Sequence, residues 1–94
     1  MRLIEQSKAF RRDYKRERKG RFRASLDADL TAALSALASD SLLEARLRDH
    51  ALSGDWSGYR ECHIHPDLLL IYRKTRGDLL RLARLGSHSE LFGN

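Results

Sequence analysis

Five apolar side chains stand in a row at Leu68-Leu69-Leu70-Ile71-Tyr72. A run this short and this apolar predicts a central strand, buried on both faces. The stretch before it alternates. Tyr59, Glu61 and His63 fall on one face of a strand from Tyr59 to Ile64, and Arg60, Cys62 and Ile64 on the other. Cys62 and Ile64 suit a core, so Glu61 and His63 are expected to look outward, towards a cleft. Glycines at 54 and 58 open this region and Pro66-Asp67 closes it, both turn signals. Thr75-Arg76-Gly77-Asp78 reads as a hairpin turn into a third strand, Leu79 to Leu85. Regular alternation there puts Arg81 and Arg84 on opposite faces.

The N-terminal half has a different period. Leu3-Ile4 reads as a short first strand. Ser7 is a natural N-cap for a helix whose Phe10 and Tyr14 lie at i and i+4, with Gly20 as its terminator. Leu26, Leu30, Ala33, Leu34 and Leu37 keep the helical period, with Ser25 as the cap and Ser39-Asp40-Ser41 as the end. Residues 42 to 54 keep no period and read as an ordered loop that delivers Asp49 and His50. Gly86-Ser87 breaks the last strand, and Ser87 caps a final helical turn with His88, Leu91 and Phe92. The predicted class is α+β, in the order β-α-α-β-β-β, with a small antiparallel sheet, an N-terminal helical hairpin and a short C-terminal helical turn. Ninety-four residues predict one domain over 1–94.

Charge alters this picture at one end. The formal charge is +5, yet residues 1–23 hold ten Lys or Arg against three Asp or Glu, so the remainder is slightly acidic. Lys8, Arg11, Arg12, Lys15, Arg16, Arg18 and Lys19 crowd around the Phe10/Tyr14 stripe. Such asymmetry favours a polyanionic partner over a merely solvated face. No apolar run reaches the roughly 18 residues that span a bilayer, and the N-terminus lacks a signal peptide's apolar core. The single cysteine, Cys62, excludes an internal disulfide and fits a reducing cytosol.

The candidate chemistry is acid–base. His50, His63, Asp67 and His88 are the residue types that move protons near neutral pH. Taken singly, each histidine reads first as a polar surface residue or a satisfied core one. A metal site at His63-x-His65 with Asp67 has the right types for zinc, but the Pro66 turn interrupts the strand parity it needs. Phe92, so close to the chain end, is either a buried latch or a stacking group, and Trp56 reads as a loop anchor.

Taken together, Asp49-His50, Leu52-x-Gly54-x-Trp56-x-Gly58-Tyr59-Arg60, His63, Pro66-Asp67, Leu70-Ile71-Tyr72 and Gly86-x-His88-x-x-Leu91-Phe92 resemble the YafQ family. That family belongs to the RelE/ParE superfamily of toxins in bacterial type II toxin–antitoxin systems. The resemblance implies a ribosome-dependent endoribonuclease that cuts the mRNA codon in the A site. It implies attack by the 2′-hydroxyl, no cofactor and no metal. It gives catalytic roles to His50, His63, Asp67 and His88, with His50 or His63 as base, oriented by Asp67, and His88 as acid. It implies RNA contacts by Glu61 and Phe92, and an arginine, Arg81 or Arg84, offsetting phosphorane charge. The basic helix would dock on ribosomal RNA. The implied partners are an antitoxin, the ribosome and A-site mRNA in the cytoplasm, with DNA reached only through an antitoxin complex and no membrane. His65 and Leu68 depart from the family pattern. A gyrase-directed or purely antitoxin-binding member of the superfamily is the alternative.

Overall fold

The computed structural model describes residues 1–93. A five-stranded sheet runs β1 (Leu3–Gln6), β5 (Leu79–Gly86), β4 (Leu68–Lys74), β3 (Arg60–His65), β2 (His50–Ala51) from edge to edge. The apolar run is the middle strand, as its composition requires. Helices α1 (Lys8–Glu17) and α2 (Leu26–Ala38) precede the inner strands, and α3 (His88–Phe92) closes the described chain.

The sheet departs from expectation in two ways. It is mixed rather than antiparallel, because β1 pairs with β5 in parallel, Leu3 opposite Leu79 and Gln6 opposite Leu82. It also has a fifth strand inside the expected loop. His50 and Ala51 pair with Glu61 and Arg60. A two-residue strand is too short to leave a period in sequence. The loop also contains a 3-10 turn at Ala45–Leu47, ended by Arg48 in the left-handed region at φ 48°.

The main core lies between the helices and one face of the sheet. Phe10 of α1 and Leu26, Leu30, Ala33 and Leu37 of α2 pack on Cys62, Ile64, Leu70, Tyr72, Leu82 and Leu85. Each such leucine removed from water contributes about 1.5–3 kcal/mol. The opposite face carries a second, smaller apolar cluster of Leu69, Ile71, Ala83 and Leu91, in keeping with a central strand buried on both faces.

Beyond Gln6 the edge of β5 has no strand beside it, and α1 takes over. Ser7 caps α1 by accepting from the Phe10 N–H, while its own hydroxyl donates to the Ala83 carbonyl. Further along, Asp13 accepts from the Leu85 N–H at 3.0 Å and Arg16 donates to the Leu85 carbonyl at 2.9 Å. Asp13 is buried and also takes Arg84 at 2.7 Å and Arg16 at 2.9 Å. Burial pushes its carboxyl up. The hydrogen bonds from Arg84 and the Leu85 N–H, with the charges of Arg84 and Arg16, outweigh this and hold it below the ordinary range.

A carboxylate with a lowered folded-state pKa adds stability that is fully present above its unfolded value. That stability is lost as pH falls through the folded value. Asp13→Asn is expected to cost about 2–3 kcal/mol at neutral pH, since it takes the carboxylate from Arg84 and weakens the acceptor for the Leu85 N–H. Urea unfolding from pH 7 to pH 2 checks this: the gap to wild type should close below about pH 4.

Candidate active site

The second apolar cluster is the floor of the site. Residues in register across neighbouring strands share a face. One row therefore reads His50, Glu61, Ile71, Arg84, and the next reads His63, Leu69, Gly86. Leu69 and Ile71 are the floor beneath the first histidines, and Leu52, Trp56, Tyr59 and Phe92 pack around it. Glu61 and His63 face away from the main core as expected, but they are buried rather than open.

His50 is held from behind. Its neighbour Asp49 accepts from the Tyr72 hydroxyl and from Arg60 at 3.1 Å, which ties β2 to the sheet. Burial, and then the hydrogen bond to Asp49, push the Tyr72 hydroxyl pKa up, so it remains a donor. The His50 Nδ1 lies 2.7 Å from the Arg48 carbonyl and its Nε2 lies 3.1 Å from Glu61 Oε2. Both partners are acceptors. The Arg48 carbonyl can only accept, so it places a proton on Nδ1.

His63 differs. Its Nδ1 sits 3.2 Å from the Pro66 carbonyl, which fixes the proton on that nitrogen. Its Nε2 is 3.6 Å from Glu61 Oε2, too long for a hydrogen bond, so that nitrogen has no hydrogen-bond partner among the described residues. Glu61 Oε1 is buried and has no hydrogen-bond partner among the described residues.

His88 opens α3, which is fixed by a capping box between Ser87 and Glu90. Asp67 Oδ1 accepts from the His88 N–H at 3.1 Å and lies 3.3 Å from its Nδ1. The backbone hydrogen bond from His88 lowers the Asp67 pKa most. Burial opposes this, and the His88 ring and the Arg21 charge add to the lowering. Asp67 therefore orients His88, not His50 or His63, which corrects the expected pairing. The three rings stand in a row with His63 in the middle, 6.2 Å from His50 and 5.9 Å from His88. Phe92 follows at 6.1 Å from His88. It is half-buried on the apolar floor and borders a cavity of about 410 Å³ with Trp56 and Leu52, so it is both a latch and an available ring face.

Other expected residues are placed differently. A bulge in β5 sets Arg81 opposite Arg73 and Arg84 opposite Ile71. Both arginines therefore share the face of Glu61, contrary to regular alternation. Arg81 pairs with the exposed Glu5, whereas Arg84 is held by the buried Asp13. On α1, Arg16 is bound by Asp13, Glu17 and Glu90, each at 2.9 Å. A Cβ at Gly86 would stand 2.8 Å from the Arg16 guanidinium and 3.0 Å from Glu90 Oε1, so a side chain there would have to displace the ends of that ion pair. Lys8, Arg11, Arg12, Lys15 and Lys19 are exposed with no ion pair among the described residues, and Arg18 lies over the Tyr14 ring. His65 does not join His63. It stacks on Phe22 and meets Asp29 at 2.9 Å. Cys62 is buried and its thiol is pushed up to about 12, first by burial and then by Asp49 and Glu61, so it is no nucleophile.

The residues that can hold a metal are therefore not His63, His65 and Asp67. His50, Glu61 and His63 each present one ligand atom, all within 4.8 Å of one another.

The sequence matches, over residues 2–93, the family described as bacterial toxin of type II toxin-antitoxin system, YafQ. The chain belongs to the YafQ family. The mRNA interferase toxin YafQ of Escherichia coli K12 is 51% identical over 51 residues, 54% of each chain, so the match spans about half of that curated relative. A putative toxin YafQ of Haemophilus influenzae is 36% identical over 93% of this chain and 88% of its own. The crystal structure of YafQ from E. coli BL21(DE3) superposes with TM-score 0.86 at 38% identity, over 99% of this chain and all of that one. YafQ in the E. coli DinJ–YafQ toxin–antitoxin complex superposes at 0.83, with 39% identity and 98% of both chains covered. A metal-bound toxin from Helicobacter pylori gives 0.83 at 39% identity, over 98% of this chain and all of that one. The expected fold and family are thus borne out. No helix of the described chain is long and apolar enough to cross a membrane.

Proposed function

We propose that this YafQ-family toxin is an mRNA endoribonuclease that works on the ribosome. The observation that carries this is the central ring. His63 has its proton fixed on Nδ1 and an Nε2 with no hydrogen-bond partner among the described residues, with a second imidazole about 6 Å away on either side. That spacing admits one phosphodiester between base and acid. His63 Nε2 takes the proton of the 2′-hydroxyl. The resulting oxyanion attacks the adjacent phosphorus, and His88 gives its proton to the departing 5′-oxygen, leaving a 2′,3′-cyclic phosphate. Asp67 stabilises the His88 imidazolium. His50, held between the Arg48 carbonyl and Glu61, places its ring beside the phosphorane. Of the two strand arginines, Arg81 can turn to a phosphate by leaving exposed Glu5, while Arg84 is structural.

Ribosome dependence rests on shape and charge. His50 and His88 are about half exposed and the floor is shallow, so the site itself offers a flexible RNA little hold. The ribosome would hold the codon, and the unpaired cations of α1 would dock on ribosomal RNA. A cytoplasmic location follows from that substrate. The DinJ complex of the E. coli relative supports a cognate antitoxin, with an acidic segment complementary to the basic end of this chain. Pulse labelling after induced expression tests the reading: protein synthesis should stop before DNA replication. Replication stopping first would favour a gyrase-directed toxin.

A divalent cation fits the His50, Glu61 and His63 donor set. Bound there it would supply a Lewis acid, but it would also occupy the His63 Nε2 that the proposed base uses. The scheme needs no metal because the nucleophile is tethered. Stripping the toxin of metal with a chelator, then removing the chelator before ribosomes and Mg²⁺ are added, is therefore expected to leave cleavage unchanged, and excess zinc to suppress it reversibly. Loss of activity after stripping would reverse this part of the scheme.

A further inference from the structure

Arg21 lies in the turn between α1 and α2, on neither the sheet nor α3. Its guanidinium is 3.1 Å from Asp67 Oδ2, on the carboxylate whose other oxygen meets the His88 N–H and lies beside its ring. The same guanidinium lies 4.7 Å from the Phe22 ring centroid. Phe22 in turn stacks on His65 with centroids 4.5 Å apart and planes within 4°. His65 is fixed by Asp29 at 2.9 Å and lies 3.4 Å from the Ser25 hydroxyl. A continuous series of contacts therefore runs from α2 to the acid: Asp29, His65, Phe22, Arg21, Asp67, His88.

We propose that Arg21 is a positioning residue for the Asp67–His88 pair, itself anchored by the Phe22–His65–Asp29 stack. The inference rests on the endoribonuclease reading given above. An exposed ion pair left to itself holds geometry poorly. Here the cation is constrained from its other side by an aromatic face, and that face is constrained by a second ring with its own carboxylate. A carboxylate with one oxygen on Arg21 and the other on the first residues of α3 has little freedom to rotate. This gives His65, a departure from the family pattern, a role away from proton transfer. A cavity of about 420 Å³ opens between Gly20, Arg21, Phe22 and Asp67, so the guanidinium faces open space where RNA can approach.

The test uses the full chain, with Arg21→Ala, Arg21→Lys and His65→Ala, in two independent measurements. The first is NMR titration of the Asp67 carboxyl carbon, which needs no ribosome and no activity. Arg21→Ala should raise its midpoint, Arg21→Lys should return it towards wild type, and His65→Ala should raise it less. The second is single-turnover cleavage on saturating programmed ribosomes. Arg21→Ala should slow it roughly 10-fold with ribosome affinity within about twofold of wild type, and Arg21→Lys should recover part of the loss.

An unmoved Asp67 midpoint in Arg21→Ala would overturn the proposal whether or not the wild type cleaves RNA. So would a loss confined to ribosome affinity with an unchanged saturating rate, since Arg21 would then be one more docking cation. Wild-type behaviour of His65→Ala in both measurements would overturn the anchoring half. A wild type that cuts nothing, with the midpoint shifted as expected, would instead refute the ribonuclease reading and leave the Arg21–Asp67 contact standing.

Discussion

His63→Gln should lower single-turnover cleavage on the ribosome by about 10³-fold, within the range that general base catalysis supplies. Gln keeps a polar group of similar reach, able to donate to the Pro66 carbonyl that now takes the His63 Nδ1 proton. What it cannot keep is a basic lone pair aimed at the substrate. The loss should therefore fall on the saturating rate, with ribosome affinity and melting temperature near wild type. His50→Gln should cost less, because both of that ring's nitrogens already face acceptors, Arg48 O and Glu61 Oε2. Quench-flow measurement of the two variants decides between them as base. A larger rate loss in His50→Gln than in His63→Gln would exchange the two roles.

Glu61→Leu is expected to move stability and activity in opposite directions. The Glu61 side chain is almost fully buried, and one of its oxygens has no partner among the described residues. Replacing a whole buried ion pair by apolar groups of similar volume is often stabilising by about 1–4 kcal/mol, whereas removing one partner is costly when the other stays buried. Here the remaining partner, His50, is about half exposed and keeps its water. The neighbouring floor of Leu69 and Ile71 can accept a leucine. Allowing for the lost contact to His50, a gain of about 1–2 kcal/mol is expected, seen as a rise in melting temperature of roughly 4–10 °C. Cleavage should fall by about 10²-fold, since His50 would lose its carboxylate partner and the protonated His63 its counter-charge. Calorimetry and the cleavage assay on one preparation check both signs. A lower melting temperature would mean that the carboxylate contributes more to the fold than its orphaned oxygen suggests.

How far the chain could be read from its letters depended on the length of each signal. The Leu68–Tyr72 run, the Leu26–Leu37 period and the Ser87 cap each extend over enough residues to specify an element, and the structure has them all. The β2 strand is two residues long and could not leave a period. Strand order is not written in alternation either, so the parallel pairing of β1 with β5 was out of reach. The β5 bulge displaced a parity argument by one residue and so brought Arg81 and Arg84 to one face. Within the site, the face carrying Glu61 and His63 was legible because Cys62 and Ile64 suit the core so well. The pairing of Asp67 with His88 was not, because it joins a turn to a helix start across 21 positions. Arg16 and Arg21 looked like two more cations of a basic stretch. Only their distances to Asp13, Glu90 and Asp67 separate them from the cations left free.

The most direct test of the account is cleavage of a defined mRNA on ribosomes programmed with an empty A site, beside the same mRNA without ribosomes. The expected result is a cut inside the A-site codon, ending in a 2′,3′-cyclic phosphate, only where ribosomes are present. Equal cutting of naked mRNA would contradict the claim that the ribosome supplies the grip this shallow site lacks. No cutting in either sample, by folded protein that binds ribosomes, would contradict the catalytic reading itself.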